Sequence, residues 1–208
     1  MSNKQIPVYL EDPEFLSKEE LDILLSEIYS LPFTISNGIG AADDGVHGIE
    51  GSNFADRLIV VSEPAWIGPW EDGKYDTSHP LVPIAERLAD SFCAKHELKA
   101  LDIYRTRVNL TTLSKDHRPL TPHVDLRNRY KHYILLMFFN DSDGDTIMYT
   151  LTADGEVHSQ EELTTLKRFS PKAGYAVLMD ADYFHAWEHP KDHDYRLSMI
   201  INMAIEVK

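Results

Sequence analysis

The segment Tyr133 to Asn140, YILLMFFN, carries apolar side chains at consecutive positions, so both faces of the element it forms must be covered. Its length and the turn signal that ends it, Asn140-Asp141-Ser142-Asp143-Gly144, fit a central β-strand. Further short β segments surround it: Ile103 to Leu113, Thr146 to Leu151, Lys167 to Ser170, Tyr175 to Met179 and Leu197 to Ile205. Turn residues separate these runs, which predicts an antiparallel sandwich or barrel.

The first hundred residues read differently. Ser17-Lys18-Glu19-Glu20 has the form of a capping box, with Ser17 as N-cap and Glu20 at N3. Leu21, Leu24, Leu25 and Ile28 follow at helical spacing, and Leu31-Pro32 closes the run. A second helix is expected from about Leu81 to His96, with Ile84, Ala85, Leu88, Ala89, Phe92 and Cys93 on its apolar face. Between them, Ser36 to His79 is rich in Gly, Asp, Ser and Pro, holds Trp66 and Trp70, and has room for a strand at Leu58 to Val61. No repeat or clean linker divides the chain. Its 208 residues are expected to form one mainly β domain, with flanking helices in residues 1–100 and a β core in residues 101–208.

Charge narrows the partners. With 20 Lys and Arg against 34 Asp and Glu, the net charge of -14 argues against a nucleic-acid or anionic-membrane surface. Arg127, Arg129 and Lys131 form a short basic group, read as a solvated loop or the rim of a site. The single cysteine, Cys93, rules out an intrachain disulfide and is expected to be a buried, inert thiol in a reducing compartment. The N-terminal stretch lacks a signal-peptide pattern, and no apolar run reaches membrane-spanning length, so a soluble cytoplasmic protein is expected.

Chemistry enters with His123-Val124-Asp125. On a strand, His123 and Asp125 share one face with Val124 opposite, so imidazole and carboxylate reach the same ion. Pro122 places them at a strand start or edge. His185, just past the turn Asp180-Ala181-Asp182, supplies a third ligand. Two imidazoles and a carboxylate form the ligand set that holds non-haem Fe(II) and leaves coordination positions open. Arg196 and Ser198 alternate onto one face of the last β run, where a guanidinium fork and a hydroxyl meet one carboxylate.

A second pattern overlaps the third ligand. His185-Ala186-Trp187-Glu188-His189 matches H-x-x-E-H, which binds zinc only from a helix face. Pro190 and the preceding β pattern deny it that helix. His117, His132, His158, His189 and His193 are read as loop or surface residues.

Together these segments resemble the Fe(II)- and 2-oxoglutarate-dependent oxygenase superfamily, in its prolyl-hydroxylase-like and phage- or marine-microbe-type branches. The resemblance covers roughly residues 103 to 205. It rests on RVNL (107–110), PHVD (122–125), LLMFFND with GDT (135–141, 144–146), SPKAGYAVLMD (170–180), His185 and RLSMIINM (196–203). It implies a double-stranded β-helix, or jelly roll, with iron held by His123, Asp125 and His185. It further implies 2-oxoglutarate as co-substrate, its C5 carboxylate on Arg196 beside Ser198, with Asn109 and Arg107 facing the co-substrate. With O2, such an enzyme hydroxylates its substrate and releases succinate and CO2. One position departs from the prolyl-hydroxylase pattern: where those enzymes carry a tyrosine that helps bind the C5 carboxylate, this chain has Phe138.

The substrate is expected to be a protein or peptide, or a small amino-acid-like molecule, and Ser36 to His79 is either a lid or substrate wall or a loop that simply covers the sheet. Asp154 to Thr165 is expected to be an exposed loop. Two other classes compete: a non-catalytic jelly-roll binding module with a vestigial metal site, and a cupin-like zinc or manganese hydrolase or isomerase. Neither needs a carboxylate clamp at Arg196-Leu197-Ser198.

Overall fold

The computed structural model describes residues 6–36, 59–64, 76–114, 119–120, 122–126, 131–152 and 163–208. In chain order the elements are β1 (Tyr9–Asp12), α1 (Lys18–Tyr29), β2 (Thr34–Ser36), β3 (Ile59–Ser62), α2 (Leu81–Lys95) and β4 (Leu98–Thr112). They continue with β5 (Tyr133–Phe138), β6 (Thr146–Thr152), β7 (Thr165–Phe169), β8 (Ala176–Asp180), β9 (Tyr183–Trp187) and β10 (Tyr195–Val207).

Among the described residues, ten strands form two antiparallel sheets. The major sheet has the order β1-β8-β5-β10-β4-β3-β2, and the minor sheet β7-β6-β9. This is the predicted antiparallel sandwich, arranged as a jelly roll. β5 lies inside the major sheet between β8 and β10, and all six of its residues are buried. Its two faces serve different partners. Tyr133, Leu135, Met137 and Phe139 join the cluster formed with both helices, through residues such as Leu24, Ile28, Leu88 and Phe92. Ile134, Leu136 and Phe138 face the other way, toward Met148 and Phe169 of the minor sheet. β10 alternates in the same sense: Leu197, Met199, Ile201 and Met203 face the helices, while Ile200 packs on the inner side.

The helices form as their sequence dictates. Ser17 caps α1 in a full capping box, its backbone N–H donating to Glu20 Oε2 at 2.8 Å and its hydroxyl accepting from the Glu20 N–H at 3.3 Å. α2 buries the expected stripe, including Cys93, whose thiol burial pushes up to about 11. Among the described residues, no helix is long and apolar enough to cross a membrane.

Three features correct the sequence reading. Besides the expected strand near Leu58 to Val61, which is β3, the first hundred residues supply β1 and β2 to the major sheet, and β4 begins at Leu98 rather than Ile103. Short edge strands carry too few residues to show a period, which is why β1 and β2 escape a pattern search. His185 does not merely enter a segment; it sits inside β9. His123 lies not in a strand but in an isolated bridge, with Asp125 already in the turn that follows. Trp66, Trp70 and most of the Ser36 to His79 stretch, like most of Asp154 to Thr165, lie outside the described residues.

Candidate metal centre and anion site

The bridge fixes two of the three candidate ligands. His123 and His185 exchange both backbone hydrogen bonds, each N–H donating to the other's carbonyl at 2.9 Å. Such closely bonded partners carry their side chains on the same side, and the two imidazole centroids lie 4.6 Å apart. Val124 points the other way, into a cluster with Ile147, Tyr149, Phe184 and Ala186. The alternation expected of H-x-D therefore holds although the strand is a single bridge. Leu126, at φ 48°, then turns the chain sharply behind Asp125. That left-handed conformation costs a branched residue about 1 kcal/mol or more, and such strain collects at functional sites.

His123, Asp125 and His185 each offer a ligand atom, and these atoms lie within 4.8 Å of one another. His185 Nδ1 faces the Tyr183 carbonyl at 3.3 Å. With the proton on Nδ1, this contact leaves Nε2 as the lone pair for a cation. Burial, helped by the positive field of His123, pushes His185 down to about 4, so it is neutral and ready to ligate at neutral pH. Burial works against the Asp125 carboxylate, but Arg105, the two imidazoles and the Asn202 amide outweigh it. The net effect holds Asp125 well below the usual carboxylate range. The Asn202 side-chain N–H donates to Asp125 Oδ2 at 3.0 Å, and Arg105 Nη1 lies 3.6 Å from Oδ1. The donor set, two neutral nitrogens and one anionic oxygen with open space beside them, fits a borderline divalent metal.

One cleft is lined both by this triad and by Arg196. Arg196 is 3% exposed. Its Nη2 donates to Thr146 Oγ1 at 2.7 Å, its guanidinium carbon lies 5.2 Å from the Phe138 ring centre, and Nε has no partner. Burial pushes this guanidinium down to about 9, against the pull of Asp145, which leaves it charged at neutral pH. A buried cation met by one hydroxyl and a ring face is a site waiting for an anion. Phe138, which lacks the tyrosine hydroxyl, supplies a cation–π face instead.

The remaining predicted residues fall around this axis. Asn109 and Arg107 both line the cleft, from alternate positions of β4. Asn109 Oδ1 is buried without a partner, whereas Arg107 Nε donates to Glu63 Oε2 at 2.6 Å. Ser198 lies fully buried beside them with an unpaired hydroxyl, but it does not line the cleft. The H-x-x-E-H pattern dissolves in β9: Glu188 pairs with Arg168, and His189 Nδ1 faces the Thr112 carbonyl at 2.9 Å. His132 and His189 lie in loops as expected, but both are buried rather than at the surface. His193 faces Asp143, Lys131 pairs with Asp180 and Asp182, and Arg127, Arg129, His117 and His158 lie outside the described residues.

Sequence reasoning missed Arg105, Thr146, Trp187 and Asn202. Period 2 alone finds two of them, since Arg105 extends the Arg107, Asn109 face and Asn202 extends the Arg196, Ser198 face. Thr146 and Trp187 come from the facing minor sheet, which no local pattern connects to β10.

No family profile and no curated protein matches the chain in sequence. Solved structures do match in shape. An oxidoreductase of the 2OG-Fe(II) oxygenase family from Burkholderia pseudomallei superposes with a TM-score of 0.61 at 13% identity, covering 95% of this chain and 84% of that one. The non-haem alpha-ketoglutarate-dependent epimerase SnoN from nogalamycin biosynthesis gives 0.60 at 13% identity, over 96% and 78%. HygX from Streptomyces hygroscopicus, with nickel, 2-oxoglutarate and hygromycin B bound, gives 0.55 at 14% identity, over 97% and 83%. The chain has the jelly-roll fold of the 2OG-Fe(II) oxygenases, with a His-Asp-His triad inside it.

Proposed function

We propose that this protein is an Fe(II)- and 2-oxoglutarate-dependent dioxygenase that hydroxylates a peptide or a small amino-acid-like substrate. One observation carries the reading: a single cleft joins a 2-His-1-carboxylate triad to a buried arginine that, among the described residues, makes no ion-pair contact and keeps Nε unpaired. A co-substrate with a chelating end and a carboxylate end matches both termini of that cleft.

His123, Asp125 and His185 would hold the metal on one face and leave the other open. When bound, iron supplies O2 activation coupled to oxidative decarboxylation of 2-oxoglutarate, giving succinate, CO2 and one hydroxyl in place of a substrate hydrogen. The protein's part is placement. Arg196 would take the C5 carboxylate in its planar fork, with Thr146 fixing the guanidinium through Nη2. Leu136 and Ile200 line the cleft as apolar surface for the methylenes, and Asn109 presents an unpaired amide oxygen. Asn202 holds one carboxylate oxygen of Asp125, which limits how that ligand can rotate. Solved structures of the same fold hold the same pair of groups: SnoN in complex with Fe3+ and alpha ketoglutarate, and HygX with nickel and 2-oxoglutarate.

The test is spectroscopic. Anaerobic Fe(II) plus 2-oxoglutarate should give a weak metal-to-ligand charge-transfer band in the visible, absent in His123→Ala. A band equally strong in that variant, or none in the wild type, rejects the assignment.

A further inference from the structure

β4 presents Arg105, Arg107 and Asn109 from one face to the cleft, on a chain whose net charge is -14. The two arginines repel one another: after burial, Arg105 is the next cause that lowers the Arg107 guanidinium. Placing like charges side by side beside a metal site costs stability, and such violations of local rules mark function. The two differ in how they are matched. Glu63 takes both Nε and Nη2 of Arg107 at 2.6 Å. Arg105 stands instead against Asp125, at 3.6 Å, beyond direct hydrogen-bond length.

That contact changes when the triad is loaded. A divalent cation takes up the charge of Asp125, whose other oxygen already accepts from Asn202. With the Asp125 charge shared with a bound cation, Arg105 would have no anion of its own among the described residues. 2-Oxoglutarate does not supply one if its C5 carboxylate lies on Arg196 and its C1 carboxylate is neutralised by the metal. Position agrees with a later arrival: the Arg105 side chain is 17% exposed, against 3% for Arg196 as a residue. Arg105 is thus the more accessible of these two cations lining the cleft.

We propose, building on the oxygenase reading, that the substrate carries a carboxylate close to the hydrogen that is replaced, and that Arg105 binds it. One guanidinium without a matched anion calls for a monoanion, and a planar fork accepts a carboxylate through two parallel N–H bonds. A free amino acid, its N-acyl derivative or a peptide C-terminus each offers that group.

The experiment uses the Fe(II)-loaded full chain with saturating 2-oxoglutarate and follows succinate release. The probes are the N-acetyl derivatives of the proteinogenic amino acids, each as the free acid and as the primary amide. A phosphate monoester paired with its parent alcohol, glycerol phosphate against glycerol, tests the dianion. At least one acid should stimulate succinate release roughly tenfold more than its amide. Arg105→Gln should erase that preference and Arg105→Lys should keep part of it. Equal response to acid and amide throughout the set overturns the proposal, as does a preference that survives in Arg105→Gln. Stronger stimulation by the phosphate ester than by any acid also overturns it. A charge-transfer titration separates the co-substrate: if Arg105→Gln weakens 2-oxoglutarate binding tenfold and the acid preference persists, Arg105 serves the co-substrate and the proposal fails. Absence of the charge-transfer band in the wild type removes the oxygenase reading and this proposal together; an intact band with no acid preference removes this proposal alone.

Discussion

The two faces of β10 are built for opposite purposes, one residue apart. Toward the helices, Leu197, Met199, Ile201 and Met203 are each completely buried in the main core. Toward the minor sheet, Arg196, Ser198 and Asn202 are just as deeply buried, yet each keeps a polar atom without a partner: Nε, Oγ and Oδ1. Each such orphan costs about 1–3 kcal/mol. The outer face contributes stability and the inner face spends it, which shows where selection was for something other than folding. Because the strand period is two, the two purposes separate cleanly across the sheet.

The sharpest test of that separation pairs one residue from each side. Asp125→Ala should weaken Fe(II) or Mn(II) binding more than about a hundredfold, since loss even of a group behind a ligand costs ten- to a hundredfold. Met199→Ala should cost about 2–5 kcal/mol of unfolding free energy and leave metal affinity within threefold. Titration calorimetry and urea unfolding read both. If Met199→Ala loosens the metal as much as Asp125→Ala does, the two faces are not independent.

Next in size is Arg196→Met. The affinity for 2-oxoglutarate should fall between ten- and a hundredfold while metal affinity holds. The apo protein should be as stable as the wild type or more so, because an apolar side chain replaces a buried charge with no anionic partner of its own. A clear loss of apo stability would mean that Thr146 and the Phe138 ring already satisfy the guanidinium, and the anion site would lose its main support. Asn202→Leu should act at the other end, lowering metal affinity about tenfold through a less constrained Asp125. A shift confined to 2-oxoglutarate binding would contradict that placement.

How much of this was legible in sequence follows the same division. The outer face announces itself, since Leu197, Met199 and Ile201 with YILLMFFN specify a buried strand from pattern alone. The triad was readable because H-x-D relies on local alternation, and it survived even though only one bridge supports it. Thr146 and Trp187 were not readable, because their proximity depends on the minor sheet closing over the major one. Arg105 and Asn202 were within reach, being the next steps of faces already identified, but no spacing rule says that their tips converge on Asp125. The H-x-x-E-H pattern shows the converse: begun on β9 and continued past its end at Trp187, it puts His185 inward and bonds His189 elsewhere.

The smallest effect probes the finest point of the comparison. Ser198 is fully buried, sits two residues from Arg196 on the inner face, and donates its hydroxyl to nothing in the protein. It does not line the cleft, so any contact with a bound carboxylate requires Arg196 and its neighbours to shift when that carboxylate arrives. Ser198→Ala should raise apo stability by about 1 kcal/mol or more, because removing an unpaired buried hydroxyl relieves its desolvation cost and forfeits no hydrogen bond. If the hydroxyl meets the C5 carboxylate, KM for 2-oxoglutarate should rise roughly three- to tenfold, the worth of one ordinary net hydrogen bond. An unchanged KM would place the clamp on Arg196 and Thr146 alone. Arg-x-Ser would then be an accident of alternation, and the inner face would hold one orphan with no ligand to answer it.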